Sequence, residues 1–224
     1  TLQQPIYQWD PLSGSPTATV IPNAPPLNDG AFVAMPQRQI VAWGSTFTGT
    51  VSRTYKGDVT SFLNNIQCGT SPACGGLSSL VSQYMRGASV SIQVGTTYTD
   101  TSNPPTSAPS TATIVAEAQK VVAAAKGTLD KTGLYLVFTD RYPSRAGYCA
   151  WHSAAKVSIS RTTTASFAFG YMPSLLTATT SCGAHYLPGY TPSQLGEGLD
   201  SLFNVTTHEL YEAMTDSLKI GRAH

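Results

Sequence analysis

The chain has 224 residues, of which 11% are charged, and a formal net charge of +1. That length supports one domain with a sizeable core, and no break in composition argues for two. The near-neutral balance offers no basic field to a polynucleotide, and no apolar run approaches the ~20 residues that cross a bilayer, so neither nucleic acid nor a membrane span is expected.

The opening TLQQPIYQWD lacks the pattern of a signal peptide, and the expectation is a processed mature chain or a trimmed start. Low charge, abundant Ser and Thr, 19 Gly, 15 Pro and four cysteines suit a secreted, extracellular protein. Cys68 and Cys74 enclose the short loop GTSPA, a spacing that a local disulfide closes, which leaves Cys149 and Cys182 for a longer bridge. Four cysteines permit three pairings, and this one is preferred. No C-x-x-C pair is present, which argues against a cysteine metal site.

Residues 1–37 are Pro-rich and without sustained periodicity, and they read as an extended N-terminal segment packed on the domain. Residues 38–224 read as a single α/β domain. RQIVAW (38–43) predicts a buried strand, residues 55–66 and 77–84 two amphipathic helices, and SVSIQV (89–94) a half-buried strand. The turn-rich stretch 99–111 separates these from IVAEAQKVVAAAK (114–126), a strong helix closed at Gly127, where a left-handed cap is easily made. LYLVFT (134–139) is too apolar to be exposed on either face, and residues 167–172 make a further apolar strand. Helices alternating with strands give a central mixed sheet with packed helices. No G-x-G-x-x-G or Walker loop follows a strand, so no nucleotide cofactor is expected.

The most informative stretch is GLDSLFNVTTHELYEAMTD, Gly198 to Asp216. Leu199, Leu202, Phe203, Leu210, Ala213 and Met214 form one apolar stripe at helical spacing. His208 and Glu212, one turn apart, project from nearly the opposite side, with Glu209 displaced from them by about one residue's rotation of ~100°. No Lys or Arg occurs between Gly198 and Asp216, unlike an ordinary solvated helix back.

His-Glu-x-x-Glu resembles the zincin helix, in which residues at i and i+4 hold a metal and the adjacent Glu activates a bound water. That resemblance makes His208 and Glu212 the expected ligands, with Glu209 the general base. Glu212 stands where the second His is usual, so zinc or another divalent ion is expected. Asp216 is a further candidate ligand if the helix ends before it. The plainer alternative is a capped amphipathic helix with a surface His and two solvated acids. Asn204-Val205-Thr206 is a glycosylation sequon, but its place within this helix disfavours occupancy.

His152 in YCAWHS and His185 in SCGAHY each follow a cysteine by three residues. If Cys149 and Cys182 pair, the two imidazoles are carried toward one neighbourhood, and both become candidate ligands or substrate contacts.

The ordered series IVAWGSTFTG, FLNNI, LVSQYM, VSIQVGTTYTD, GLYLVFTD, YCAWHS, FAFGYMP and GLDSLFNVTTHELYEAMTD is similar to the phosphate-induced protein, or Exordium-like, family of secreted proteins. It runs from about Arg38 to Asp216. Plant members look to be cell-wall growth-related proteins that have lost the His-Glu motif, while microbial and fungal members keep a form like the one here. Ser217 stands where the family usually has Pro, and the family usually continues past DSLKIGRAH.

The expected function is therefore a secreted, metal-dependent, zincin-like hydrolase acting on peptide bonds. The alternative is a non-catalytic extracellular protein that binds cell-wall glycan through Trp43, Trp151, Tyr186 or Tyr190 and keeps a structural or vestigial metal site. A glycosidase using Glu209 and Glu212 ranks last, because two acids three apart on one helix lie too close and too parallel to flank a glycosidic bond.

Overall fold

The apolar run LYLVFT lies at the centre of a sheet, and every residue from Gly133 to Thr139 is buried. The computed structural model describes residues 6–9, 16–19, 37–43, 62, 93–130, 133–158, 161–215 and 221–223. In chain order these form β1 (Ile6–Trp9), β2 (Pro16–Thr19), β3 (Gln37–Trp43), β4 (Gln93–Asp100), α1 (Thr111–Ala124), β5 (Gly133–Thr139), β6 (Ala150–Ser158), β7 (Thr164–Pro173), α2 (Thr179–Cys182), a 3-10 turn (Ala184–Tyr186), α3 (Glu197–Thr215) and β8 (Gly221–Ala223).

Strands β1 and β2, within the Pro-rich segment, pair as an antiparallel ribbon. The other six form one mixed sheet in the order β4-β3-β5-β7-β6-β8. Strands β4, β3, β5 and β7 run parallel, and β6 runs antiparallel to both β7 and β8. Together with the helices this is an α/β architecture, as expected. No described helix is long and apolar enough to cross a membrane.

Side-chain alternation divides the core into two layers. On one face Tyr135, Val137, Trp151, Phe169 and Tyr171 pack against Ile114, Ala118 and Val122 of α1. On the other, Leu134, Leu136, Phe138, Ala150 and Met172 pack against Leu199, Leu202, Val205, Leu210 and Ala213 of α3. Trp151, offered above as sugar-stacking surface, is thus a core residue. Gly170 lies on the α3 face, where an added Cβ would come within 2.8 Å of Leu136 Cδ2 and 2.9 Å of Met172 Cε.

Three boundaries differ from expectation. Helix α1 starts earlier than residue 114 because Ser110 caps it, its hydroxyl accepting from the Thr113 N–H at 3.2 Å. It closes with Lys126, not Gly127, in the left-handed conformation (φ 55°), and the Gly127 N–H reaches Val122 O at 2.9 Å in a Schellman arrangement. Gly serves at the second position because an added Cβ would crowd Val122 at 3.3 Å. The strand expected at 89–94 is described from Gln93 to Asp100, and its polar TTYTD end is tolerated at the margin of the sheet.

The expected helices at 55–66 and 77–84 lie outside the described residues except Phe62, which is helical and stacks on Phe203 of α3 with ring centroids 4.2 Å apart. Cys68, Cys74 and Asp216 also lie outside them.

Candidate metal centre

Helix α3 carries its buried stripe where the periodicity placed it: Leu199, Leu202, Leu210, Ala213 and Met214 are all buried. The stripe is wider than apolar spacing alone indicates, because Val205, Thr206 and Glu209 are buried too. Glu209 comes seven residues after Leu202, almost two full turns, and four before Ala213, so it belongs to the stripe by rotation. Its carboxylate is completely buried, a costly placement unless a partner meets it.

The partner comes from β6. His152, 2% exposed, donates its Nδ1 proton to Glu209 Oε2 at 2.7 Å. The same Nδ1 lies 3.6 Å from Glu212 Oε2, and Glu212 Oε1 lies 3.1 Å from His208 Nε2. Glu212 therefore reaches a buried imidazole with one oxygen and a surface imidazole with the other. The side chains of His208 and Glu212 are 46% and 41% exposed, so the cluster runs from the interior to solvent.

His152, Glu209 and Glu212 each bring one ligand atom within 4.8 Å of the others'. Ligands at tetrahedral metal distances of about 2.0–2.2 Å lie roughly 3.4 Å from one another, so the 3.6 Å separation already matches and the 2.7 Å hydrogen bond would open by about 0.7 Å. The donor set of one imidazole and two carboxylates suits zinc and also harder divalent ions. Two buried polar atoms on the same elements are unmatched. His152 Nε2, on the far side of the ring from the two carboxylates, is buried with no hydrogen-bond partner among the described residues. Thr206 Oγ1, one turn before Glu209 on the same stripe, is buried and unmatched among those residues as well.

Of the expected ligands, the fold thus brings His152 and Glu212 together, with Glu209 as a third member and His208 beside Glu212. His185 is placed elsewhere. It pairs through Nδ1 with Glu197 in the first turn of α3, and Glu197 precedes His208 by eleven residues, about 16 Å along a helix. Glu197 is held below the usual carboxylate range by that hydrogen bond from His185.

Cys149 and Cys182 are disulfide-bonded with Cα atoms 5.5 Å apart, as preferred from the sequence. The bridge ties the start of β6, three residues before His152, to α2 and the segment leading into α3. Tyr142 supports the same junction by donating its hydroxyl proton to Tyr148 O at 2.8 Å. The cysteine spacing singles out His152 and predicts a loop there, whereas His152 stands on a strand. The alternation in AWHSAAKVS is one of small and polar residues, which hides the strand from a search for hydrophobic periodicity.

Comparison with protein-family models, curated proteins and solved structures gives no match to this chain.

Proposed function

We propose that this chain is a secreted, metal-dependent hydrolase of peptide bonds, related to the Exordium-like family it resembles in sequence, with α3 as a zincin-like active-site helix. The observation that carries the reading is the convergence of His152, Glu209 and Glu212, with ligand atoms within 4.8 Å. In this reading His152, Glu209 and Glu212 hold the ion.

A divalent ion so held supplies Lewis acidity to a carbonyl and lowers the pKa of a bound water. Without an ion, Glu209 keeps the His152 ring oriented by accepting from Nδ1; an ion held by Nδ1 and the two carboxylates would displace that proton. Glu209, assigned above as the base, is the acid least accessible to solvent. Glu212 and His208, half-exposed and 3.1 Å apart, are better placed to pass a proton between substrate and solvent.

Burial favours a second reading. Two of the three candidate ligands are closed off from solvent, as in a structural metal site, and this supports a non-catalytic extracellular binding protein. Elemental analysis with a peptide-cleavage assay separates the two. A stoichiometric divalent metal lost in His152→Ala and Glu212→Ala, with cleavage lost in both, supports the hydrolase. Metal without cleavage supports the structural site, and no metal in the wild type removes the hydrolase and leaves a non-catalytic binding protein with a vestigial site.

A further inference from the structure

The two faces of the β6–β7 ribbon are covered to different extents. On the α1 face, Trp151, Ser153, Val157, Phe167, Phe169 and Tyr171 are buried and Ala155 and Ala165 half-buried, so none of the described residues from 151 to 157 on that face is exposed. On the α3 face the pattern breaks: Ala150 and His152 of β6 and Ala168, Gly170 and Met172 of β7 are buried, but Ala154 is half-exposed and Lys156, Ser158, Thr164 and Ser166 are exposed. His152 is thus the last covered residue on that face of β6. Beyond it α3 no longer shields the sheet, and a flat shelf of small and polar side chains leads from solvent to the His152, Glu209 and Glu212 group.

Resting on the hydrolase reading, we infer that this shelf is the substrate-binding surface and that it takes an extended peptide carrying an acidic side chain, read by Lys156. Lys156 is the only Lys or Arg in β6 and β7, and it is exposed on the same face as His152. Four residues of strand separate the two, about 13 Å at ~3.3 Å per residue. An extended peptide has the same rise, so a carboxylate about four residues from the bond held at the metal group meets the Lys156 ammonium. The register supports a flat surface, because Lys156 stands opposite Ser166, Ala154 opposite Ala168, and Ser158 opposite Thr164. Among the described residues of β6 and β7, none on the shelf is Phe, Tyr or Trp, so these strands offer a sugar no stacking platform, and a peptide is favoured over a glycan.

The test is a binding measurement, independent of cleavage. Fluorescein-labelled alanine-rich decapeptides with Glu, Gln or Lys at one position are titrated into wild type and into Lys156→Ala and Lys156→Glu by anisotropy at low and high salt. Metal content and circular dichroism are measured on the same samples. Expected are about a 1.5-fold to fivefold preference of the wild type for the Glu peptide, loss of that preference in Lys156→Ala, its reversal toward the Lys peptide in Lys156→Glu, and unchanged metal content. A preference unchanged in Lys156→Glu, no binding of any peptide by folded, metal-loaded protein, or displacement of the peptides by neutral oligosaccharide overturns the inference. Because binding is read without turnover, a protein that binds as expected but does not cleave would sink the hydrolase reading and leave the shelf assignment standing.

Discussion

His152 of β6 and Glu209 of α3 are 57 residues apart in the chain and 2.7 Å apart in the fold. Both are buried, so each is the other's condition for being there. Glu209→Ala leaves the Nδ1 donor unmatched and is expected to cost about 1–3 kcal/mol in unfolding free energy. Glu209→Gln, whose amide oxygen still accepts that proton, is expected to cost less. Urea denaturation of the two variants checks the order, and an equal loss in both would mean that the hydrogen bond contributes little.

The Cys149–Cys182 bridge closes a loop across a sequence separation of 33, for which chain entropy gives about 4 kcal/mol. Reduction, or Cys149→Ala with Cys182→Ala, is expected to lower the melting temperature. It should also weaken divalent-metal retention, because the bridge anchors the strand end that carries His152. Calorimetry with and without reductant, followed by elemental analysis, reads both effects.

Gly183 lies beneath the His185–Glu197 pair, where an added Cβ would collide with Thr179 O, His185 Nδ1 and Glu197 Oε1. Two of those atoms belong to side chains that can move, but Thr179 O is backbone. Gly183→Ala is therefore expected to destabilise the protein by about 1–3 kcal/mol. Metal content should stay near wild type, since this pair is separate from the candidate centre. Loss of metal in a folded Gly183→Ala protein would show that the two ends of α3 are coupled.

On the opposite face of the sheet, Lys120 bridges Asp100 at the end of β4 and Glu117 of α1. Burial pushes the Glu117 carboxyl from 4.5 up to about 7, with Lys120 opposing that rise and Asp100 adding to it. The folded state therefore binds this proton more tightly than the unfolded chain does. The stability it contributes is full below about pH 4.5 and is lost as pH rises toward about 7. Glu117→Gln is expected to flatten the fall in stability over that window. Denaturation midpoints of wild type and variant at several pH values provide the check, and parallel curves would refute it.

Local physics carries much of this fold. The run LYLVFT, apolar at every position, is compatible only with a strand covered on both sides, and β5 is buried throughout. The three- and four-residue spacing of Leu199, Leu202, Leu210 and Ala213 likewise fixes α3 and one edge of its buried stripe. The absence of Lys and Arg between Gly198 and Asp216 sets that helix apart from an ordinary solvated one. These features depend on neighbours within a turn or a strand, and the order of residues encodes them directly.

Other features depend on which elements meet. Strand β6 is a strand because β7 pairs with it along its length and β8 covers one end, not because its own residues alternate between apolar and polar. Glu209 reads as a polar residue beside His208 until β6 places an imidazole against it, and only then is its burial physically affordable. His152 and His185 have equivalent sequence surroundings, three residues after a cysteine in each case. Tertiary structure alone assigns one to the interior against two carboxylates of α3 and the other to Glu197 at the helix start. The sequence by itself determined the helix, the central strand and the residue types available for a metal. Which of those residues converge was decided by packing across the sheet, because a buried charge is stable only where a distant segment supplies its partner.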